Sequence, residues 1–194
     1  MTVAIARVSP AAPGGEVEGL VERAVAGDQL AFAAIYRLHA DAVHRLLTRL
    51  VGPRPEREDL MQEVFVRLHR ALPRYRGDAA LATFLHQIAV RVAIDHLRAR
   101  RRRPEPTAVL DEDLADVAAS PAQRFAQRAE IERAMALLDG LGAKQRIAFI
   151  LREVLELSYP EIARLMGTFT TTARMRVAAA TRALARIDTT GRVR

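Results

Sequence analysis

The sequence predicts an all-α fold of two small helical domains joined by a flexible acidic linker. Three observations carry that prediction. Apolar residues recur at spacings of three and four almost throughout the chain, and they nowhere alternate convincingly as a half-buried strand requires. Glycine (10 of 194 residues) and proline (9) are sparse, and they gather where the helical periodicity lapses. Half of the residues are hydrophobic, enough to bury a core at this length, which excludes a wholly disordered chain.

The breaks divide the chain into a Pro/Gly/Ala leader (1–16), a helical block (17–103), a linker (104–121) and a second helical block (122–190). In the first block Asp28 is placed to cap a helix running to about Leu50, with Phe32, Ile35, Val43, Leu46 and Leu47 facing inward. Gly52, Pro53 and Pro55 stop it. A second helix from about Glu56 to Leu72 stacks Leu60, Met61, Val64, Phe65 and Leu68 on one face before Pro73 ends it. Residues Arg74 to Asp78 read as a basic, aromatic loop. A third helix places Leu81, Phe84, Leu85, Ile88, Val92 and Leu97 at core spacing and Gln87, Arg91, Asp95, Arg98 and Arg102 in a polar stripe. It ends in the arginine run 100–103, after which Asp111, Glu112, Asp113 and Asp116 invert the charge of the linker.

The second block holds the clearest local signal. Ser158-Tyr159-Pro160-Glu161 is a capping box that starts a short helix. Gly167 ends it, and a second helix follows with Ala173, Val177, Ala180 and Leu184 on one face. Helix, glycine-containing turn, helix is the pattern of a DNA-binding helix-turn-helix, whose second helix would offer Thr170, Thr171, Thr172, Arg174 and Met175 to the major groove. Spacing alone leaves a plain αα-hairpin open as the alternative.

Charge points the same way. Thirty lysines and arginines against 23 acidic residues leave +7, which favours a polyanionic partner. The loop and third helix combine cations with Tyr75 and Phe84, the mixture that unpaired nucleic acid uses: a base stacks on a ring for ~1–3 kcal/mol while arginine meets the backbone. Core packing for Phe84 and a solvated helix end for the arginine run are the bland alternatives. The absence of cysteine removes disulfides, thiolate nucleophiles and cysteine-based metal sites. His39, His44, His69, His86 and His96 stand at no ligand spacing, so no metal or cofactor is expected. A helical enzyme is disfavoured, because there is no dinucleotide fingerprint, phosphate loop or paired Glu-x-x-His. No apolar run is long enough to span a bilayer, and the N-terminus does not read as a signal peptide, so a cytoplasmic location is expected.

Taken in order, Glu58-Asp59-Leu60-Met61-Gln62-Glu63-Val64-Phe65, Tyr75-Arg76-Gly77-Asp78, Thr83-Phe84-Leu85, Ile94-Asp95-His96-Leu97-Arg98 and Leu157-Ser158-Tyr159-Pro160-Glu161-Ile162-Ala163 resemble the extracytoplasmic-function (ECF) group of bacterial RNA polymerase sigma factors. The resemblance runs from about Leu20 to Ile187. It implies that the first block is a sigma-two domain that binds core RNA polymerase through Asp59, Gln62 and Glu63. It further implies that this domain opens promoter DNA at the minus-ten element through Arg74, Tyr75, Arg76, Thr83, Phe84, Gln87, Arg91, Arg98, Arg101 and Arg102. The second block is implied to be a sigma-four domain that reads the minus-thirty-five element through Arg152, Thr170, Thr171, Thr172, Arg174, Met175 and Arg176. The acidic linker would thread the RNA channel of the polymerase, and an anti-sigma factor is an expected further partner. No appended regulatory domain is expected after about Ile187.

The sequence departs from the family pattern in three places. Phe84 stands where tryptophan is usual, and Phe169 where the turn usually has proline. Ala178, Ala179 and Thr181 replace bulkier or basic residues, which predicts weak or relaxed minus-thirty-five reading, since a lost bidentate base contact is worth ~1–3 kcal/mol. The competing function is a stand-alone helix-turn-helix regulator that binds duplex DNA without polymerase.

Overall fold

The computed structural model describes residues 14–53, 56–102 and 121–191, which form eight α-helices, one 3₁₀ turn and, among the described residues, no strand. The helices are α1 (Gly14–Val25), α2 (Gln29–Val51), α3 (Arg57–Ala71), α4 (Leu81–Arg102), α5 (Pro121–Asp139), α6 (Ala143–Glu153), α7 (Tyr159–Met166) and α8 (Thr170–Gly191), with the 3₁₀ turn at Leu72–Arg74. Because α1 starts at Gly14, the last three residues assigned to the leader are helical. Pro121, assigned to the linker, likewise opens α5. Pro55, Arg103 and the acidic residues 111–116 lie outside the described residues.

Local chemistry explains where the helices begin and end. Asp28 Oδ1 accepts from the backbone N–H groups of Leu30 (2.8 Å) and Ala31 (3.1 Å), and Oδ2 accepts from Arg23 Nη2 (2.6 Å). One carboxylate therefore caps α2 and ties it to the last turn of α1. Those bonds, led by the Arg23 hydrogen bond, hold its carboxyl below the ordinary aspartate value. In α7 the Ser158 N–H donates to Glu161 Oε2 (2.8 Å) while Ser158 Oγ faces the Glu161 N–H (3.5 Å), the reciprocal box that the sequence predicts. Gly167 closes α7 in the left-handed region at φ 58, its N–H reaching the carbonyls of Ala163 and Arg164.

Helices α2, α3 and α4 pack on one another, with α1 laid along α2. Their shared core is made by Ile35, Val43, Leu47, Leu50, Val64, Leu68, Leu85, Ala89 and Val90, all with essentially no solvent exposure. At its margin Tyr36 meets Phe65 (4.5 Å between centroids) and Phe32 meets His69 edge-on (5.1 Å). Helices α6, α7 and α8 enclose Ile147, Ile150, Leu151, Leu155, Ile162 and Ala173. These two bundles are not separate bodies in the structure: α4 packs on α6 and α7, α2 packs on α6, and the buried side chains join into one cluster.

Two histidines lie inside the first bundle. His39 on α2 and His86 on α4 are both buried, and His39 Nε2 has no hydrogen-bond partner. Desolvation lowers both imidazole pKa values, and the neighbouring His39 helps to bring His86 to about 4. Unfolding returns His86 to the ordinary value near 6.5, so the unfolded chain binds more protons between about pH 6.5 and about pH 4, and His39 acts in the same direction. Stability therefore falls as pH drops through that window, by up to ~1.4 kcal/mol per pH unit from His86. Urea midpoints measured at about pH 7.5 and about pH 5.5 should fall at the lower pH. His86→Leu should flatten that dependence whatever it does to stability at the higher pH.

Candidate nucleic-acid interface

The first candidate surface is built by the loop after α3 and by α4. Arg74 and Arg76 are exposed on the loop. Tyr75 is half-buried: its hydroxyl donates to the Ala79 carbonyl (2.6 Å) and its ring meets Phe84 at 5.3 Å between centroids. Burial, reinforced by the carboxylates of Glu18 and Asp78, holds the Tyr75 phenol above its ordinary value. The pair thus combines both readings of the sequence. Tyr75 and Phe84 pack on the margin of the core while each remains partly open to solvent. From there Thr83 and Gln87, both half-buried, lead to exposed Arg91, Arg98, Arg101 and Arg102 along α4.

The second surface lies on α3. Asp59 and Gln62 are exposed, but Glu63 is engaged: its Oε1 accepts from Arg67 Nε (2.7 Å), and Arg67 Nη1 donates to Asp95 on α4 (2.9 Å). Both carboxylates hold the Arg67 guanidinium pKa above its ordinary value, with the Glu63 hydrogen bond the largest cause. Sequence reading missed Arg67. The signal was available in its i,i+4 spacing from Glu63, whereas the bridge to Asp95 exists only once α3 and α4 are packed.

The third surface is the start of α8. Thr170, Thr171, Arg174 and Met175 are exposed, while Thr172 and Arg176 are half-buried. Phe169, immediately before the helix, is 81% exposed and Met175 70%, an unusual outlay of large apolar surface for a helix start. Ala178 and Ala179 are half-buried, and the Thr181 hydroxyl donates back to the Val177 carbonyl (3.1 Å). Arg152 does not project freely. Its Nη1 donates to the Leu157 carbonyl (2.9 Å), and its guanidinium sits 5.0 Å from the centre of the Tyr159 ring. The Arg174 guanidinium lies 5.2 Å from the same ring. Tyr159 therefore gathers two arginines that are 22 residues apart in the sequence, one from α6 and one from α8, through cation–π contacts. No spacing rule points to that arrangement.

Residues 35–103 match Sigma-70 region 2, and residues 131–184 match Sigma-70, region 4. The RNA polymerase sigma-H factor of Pseudomonas aeruginosa is 37% identical over 168 residues, covering 81% of this chain and 86% of that protein. The ECF RNA polymerase sigma-E factor of Haemophilus influenzae is 33% identical over 168 residues, covering 82% and 88%. The chain belongs to the ECF sigma factors. Its fold is also that of two solved structures, each 21% identical: CnrH in complex with the cytosolic domain of CnrY (TM-score 0.58, covering 87% of this chain and 94% of that one), and the sigma factor RpoE in complex with the anti-sigma factor NepR from Bartonella quintana (0.55, 80% and 94%).

As an ECF sigma factor the protein directs promoter-specific transcription initiation by RNA polymerase. Region 2 comprises most of α2 together with α3 and α4, and region 4 comprises the end of α5 with α6 to α8. No metal-binding group of three or more His, Asp or Glu occurs among the described residues, and no described helix is long and apolar enough to cross a membrane.

The Tyr159 ring meets both guanidiniums, and the family resemblance assigns both arginines to the minus-thirty-five element; on that assignment Tyr159→Ala should weaken holoenzyme binding to a promoter carrying the element by about 1 kcal/mol, or roughly fivefold. Tyr159→Phe should bind nearly as the parent does. Electrophoretic titration of the three holoenzymes against one duplex makes the comparison.

Proposed function

We propose that this sigma factor docks on core RNA polymerase through the exposed Asp59 and Gln62 of α3, with Glu63 acting mainly to position Arg67 and, through it, Asp95. Region 2 then captures unpaired minus-ten bases along Arg74, Tyr75, Arg76, Thr83, Phe84, Gln87, Arg91, Arg98, Arg101 and Arg102. The observation that carries this reading is the continuity of exposed cations along α4 with the half-open Tyr75–Phe84 pair at its start. A base leaving the duplex loses its stacking partner, and an aromatic ring with a neighbouring guanidinium compensates it. The activity is binding and strand capture without catalysis. The protein works in the cytoplasm, and an anti-sigma factor is its inhibitor, a reading supported by the RpoE–NepR complex among proteins of the same fold.

Region 4 reads the minus-thirty-five duplex with Arg152, Thr170, Thr171, Thr172, Arg174, Met175 and Arg176, and we add Phe169. Few groups on this face can make bidentate hydrogen bonds, because Ala178 and Ala179 have none and Thr181 is turned onto its own helix. What it offers instead is apolar surface. In the major groove only thymine presents an apolar group, its 5-methyl, so Phe169 and Met175 are suited to read thymines while the arginines hold phosphates.

Two experiments test these roles. Asp59→Ala/Gln62→Ala should weaken binding to core RNA polymerase at least tenfold, while the fold is unchanged because both side chains are exposed. A folded parent chain that does not bind core polymerase would instead favour a stand-alone regulator. For region 4, replacing minus-thirty-five thymines by deoxyuridine removes only the methyl groups. Holoenzyme affinity should drop about fourfold per contacted methyl, or ~0.8 kcal/mol. Phe169→Ala/Met175→Ala should bind both duplexes equally, and an undiminished uracil effect in that variant would end the methyl-reading role.

A further inference from the structure

Asp95 is the only acidic residue of α4, and the role given to the cationic stripe leaves it without a task. At 3.6 residues per turn, Phe84, Gln87, Arg91, Asp95, Arg98 and Arg102 share a sector of the helix about 80° wide. A carboxylate within a surface suited to phosphate lowers affinity, because it repels the backbone that its neighbours attract. Its surroundings show what it can do instead.

Among the described residues Asp95 is held by neither Arg91 nor Arg98, four and three residues away on its own helix. Arg67 reaches it from α3. The Arg67 Nη1 donates to Asp95 Oδ2 (2.9 Å) while Nε of the same guanidinium donates to Glu63 Oε1 (2.7 Å). Two bonded edges fix the plane of the guanidinium, and through it the direction of the carboxylate. The other oxygen, Oδ1, makes no hydrogen bond among the described residues, and the Asp95 side chain is 53% exposed. Arg67 thus offsets the charge from behind, Arg91 and Arg98 stay available to phosphates, and one oriented acceptor faces outward.

A fixed, ionised carboxylate accepts hydrogen bonds and donates none. In the major groove cytosine presents its N4 amino group with no acceptor of its own beside it, whereas adenine sets N7 next to its N6 amino group. Guanine presents N7 and O6, and thymine O4 and a methyl group. Asp95 Oδ1 therefore suits cytosine first and adenine less, and it meets lone pairs on guanine or thymine. Its place on the helix says where that base lies. Asp95 is 11 residues beyond Phe84, about 16 Å along α4 at 1.5 Å per residue, which matches about five steps of duplex at 3.4 Å each.

We propose that Asp95 is a specificity-determining residue that accepts from the N4 amino group of a cytosine in the paired edge of the minus-ten element, about five steps from the base captured at Tyr75 and Phe84, and that Arg67 is the positioning residue that aims it. The proposal rests on the assignment of the α4 stripe to minus-ten DNA.

Holoenzyme formed at saturating core polymerase is titrated against promoters in which each pair at the edge of the minus-ten element is changed through all four bases. For the parent, one position should bind cytosine about fivefold more tightly than thymine on the same strand. Asp95→Ala should bind all four bases there alike. Asp95→Asn separates this role from a merely structural ion pair, because Arg67 can donate only to the amide oxygen and so turns the amide N–H groups outward. Its preference should invert, toward guanine or thymine and away from cytosine. In Asp95→Asn/Arg67→Ala the amide is free to turn and the inversion should be lost. Circular dichroism establishes that each variant is folded. A parent with no such position overturns the proposal, as does Asp95→Ala that keeps the cytosine preference or Asp95→Asn that still favours cytosine. Strand opening, read by 2-aminopurine fluorescence within the minus-ten element, judges the stripe itself. Opening that survives Arg91→Ala/Arg98→Ala and Tyr75→Ala/Phe84→Ala would refute the assignment to DNA, whereas opening that those variants abolish, with base preferences unmoved at Asp95, overturns only the specificity role.

Discussion

Helix α4 must be covered on more than one side, and the arrangement of the molecule follows from that. Leu85, Ile88, Ala89, Val90, Val92, Ala93, Ile94 and Leu97 are all buried along it, a run too continuous to be served by a single neighbour. Helices α2 and α3 cover one part, and α6 and α7 another. Of its arginines, Arg91, Arg98, Arg101 and Arg102 are exposed, while Arg100 bridges to Asp139. A helix hydrophobic over so much of its circumference is therefore the centre of the first bundle and the wall against which the second leans. The same helix presents the cations suited to unpaired DNA.

The arginines divide by partner rather than by position in the sequence. Arg67 and Arg146 are fixed by carboxylates or carbonyls and act as structural pins. Arg152 is half-fixed by a carbonyl and a ring. Arg74, Arg76, Arg98 and Arg102 are exposed. A net charge of +7 thus overstates nothing and localises nothing, because a guanidinium bonded inside the protein contributes to the long-range field but not to a directional contact. In region 4 the start of α8 exposes Phe169 and Met175 beside Arg174, so apolar surface and charge lie together there.

Much of the fold was legible in the sequence because its signals are local. Asp28 and the Ser158–Glu161 box mark helix starts through bonds spanning two or three residues, and Gly167 marks a stop through its own backbone dihedral. The inward faces of α2, α3 and α4 follow from spacing. The start of α1 was less legible, since Gly14 and Gly15 are poor helix formers and read as leader. Of the candidate site, the cations and aromatics could be placed on their elements, but their availability could not. Glu63 reads as a free carboxylate until Arg67 and Asp95 are seen around it. Tyr159 reads as part of a capping box until Arg152 and Arg174 converge on its ring.

The sequence by itself determined the helices, their order, the two-block organisation and the kinship to sigma factors, because periodicity, caps and short motifs are written over a few consecutive residues. Only the tertiary structure decided that the two blocks share one core and that Arg146 caps α2 from about 95 residues away along the chain. It also decided that α4 faces the helix-turn-helix across Arg91 and Gly167. Those contacts depend on which surfaces meet after the helices have formed, and a hydrogen bond to a backbone carbonyl leaves no mark on the identity of the residue that accepts it.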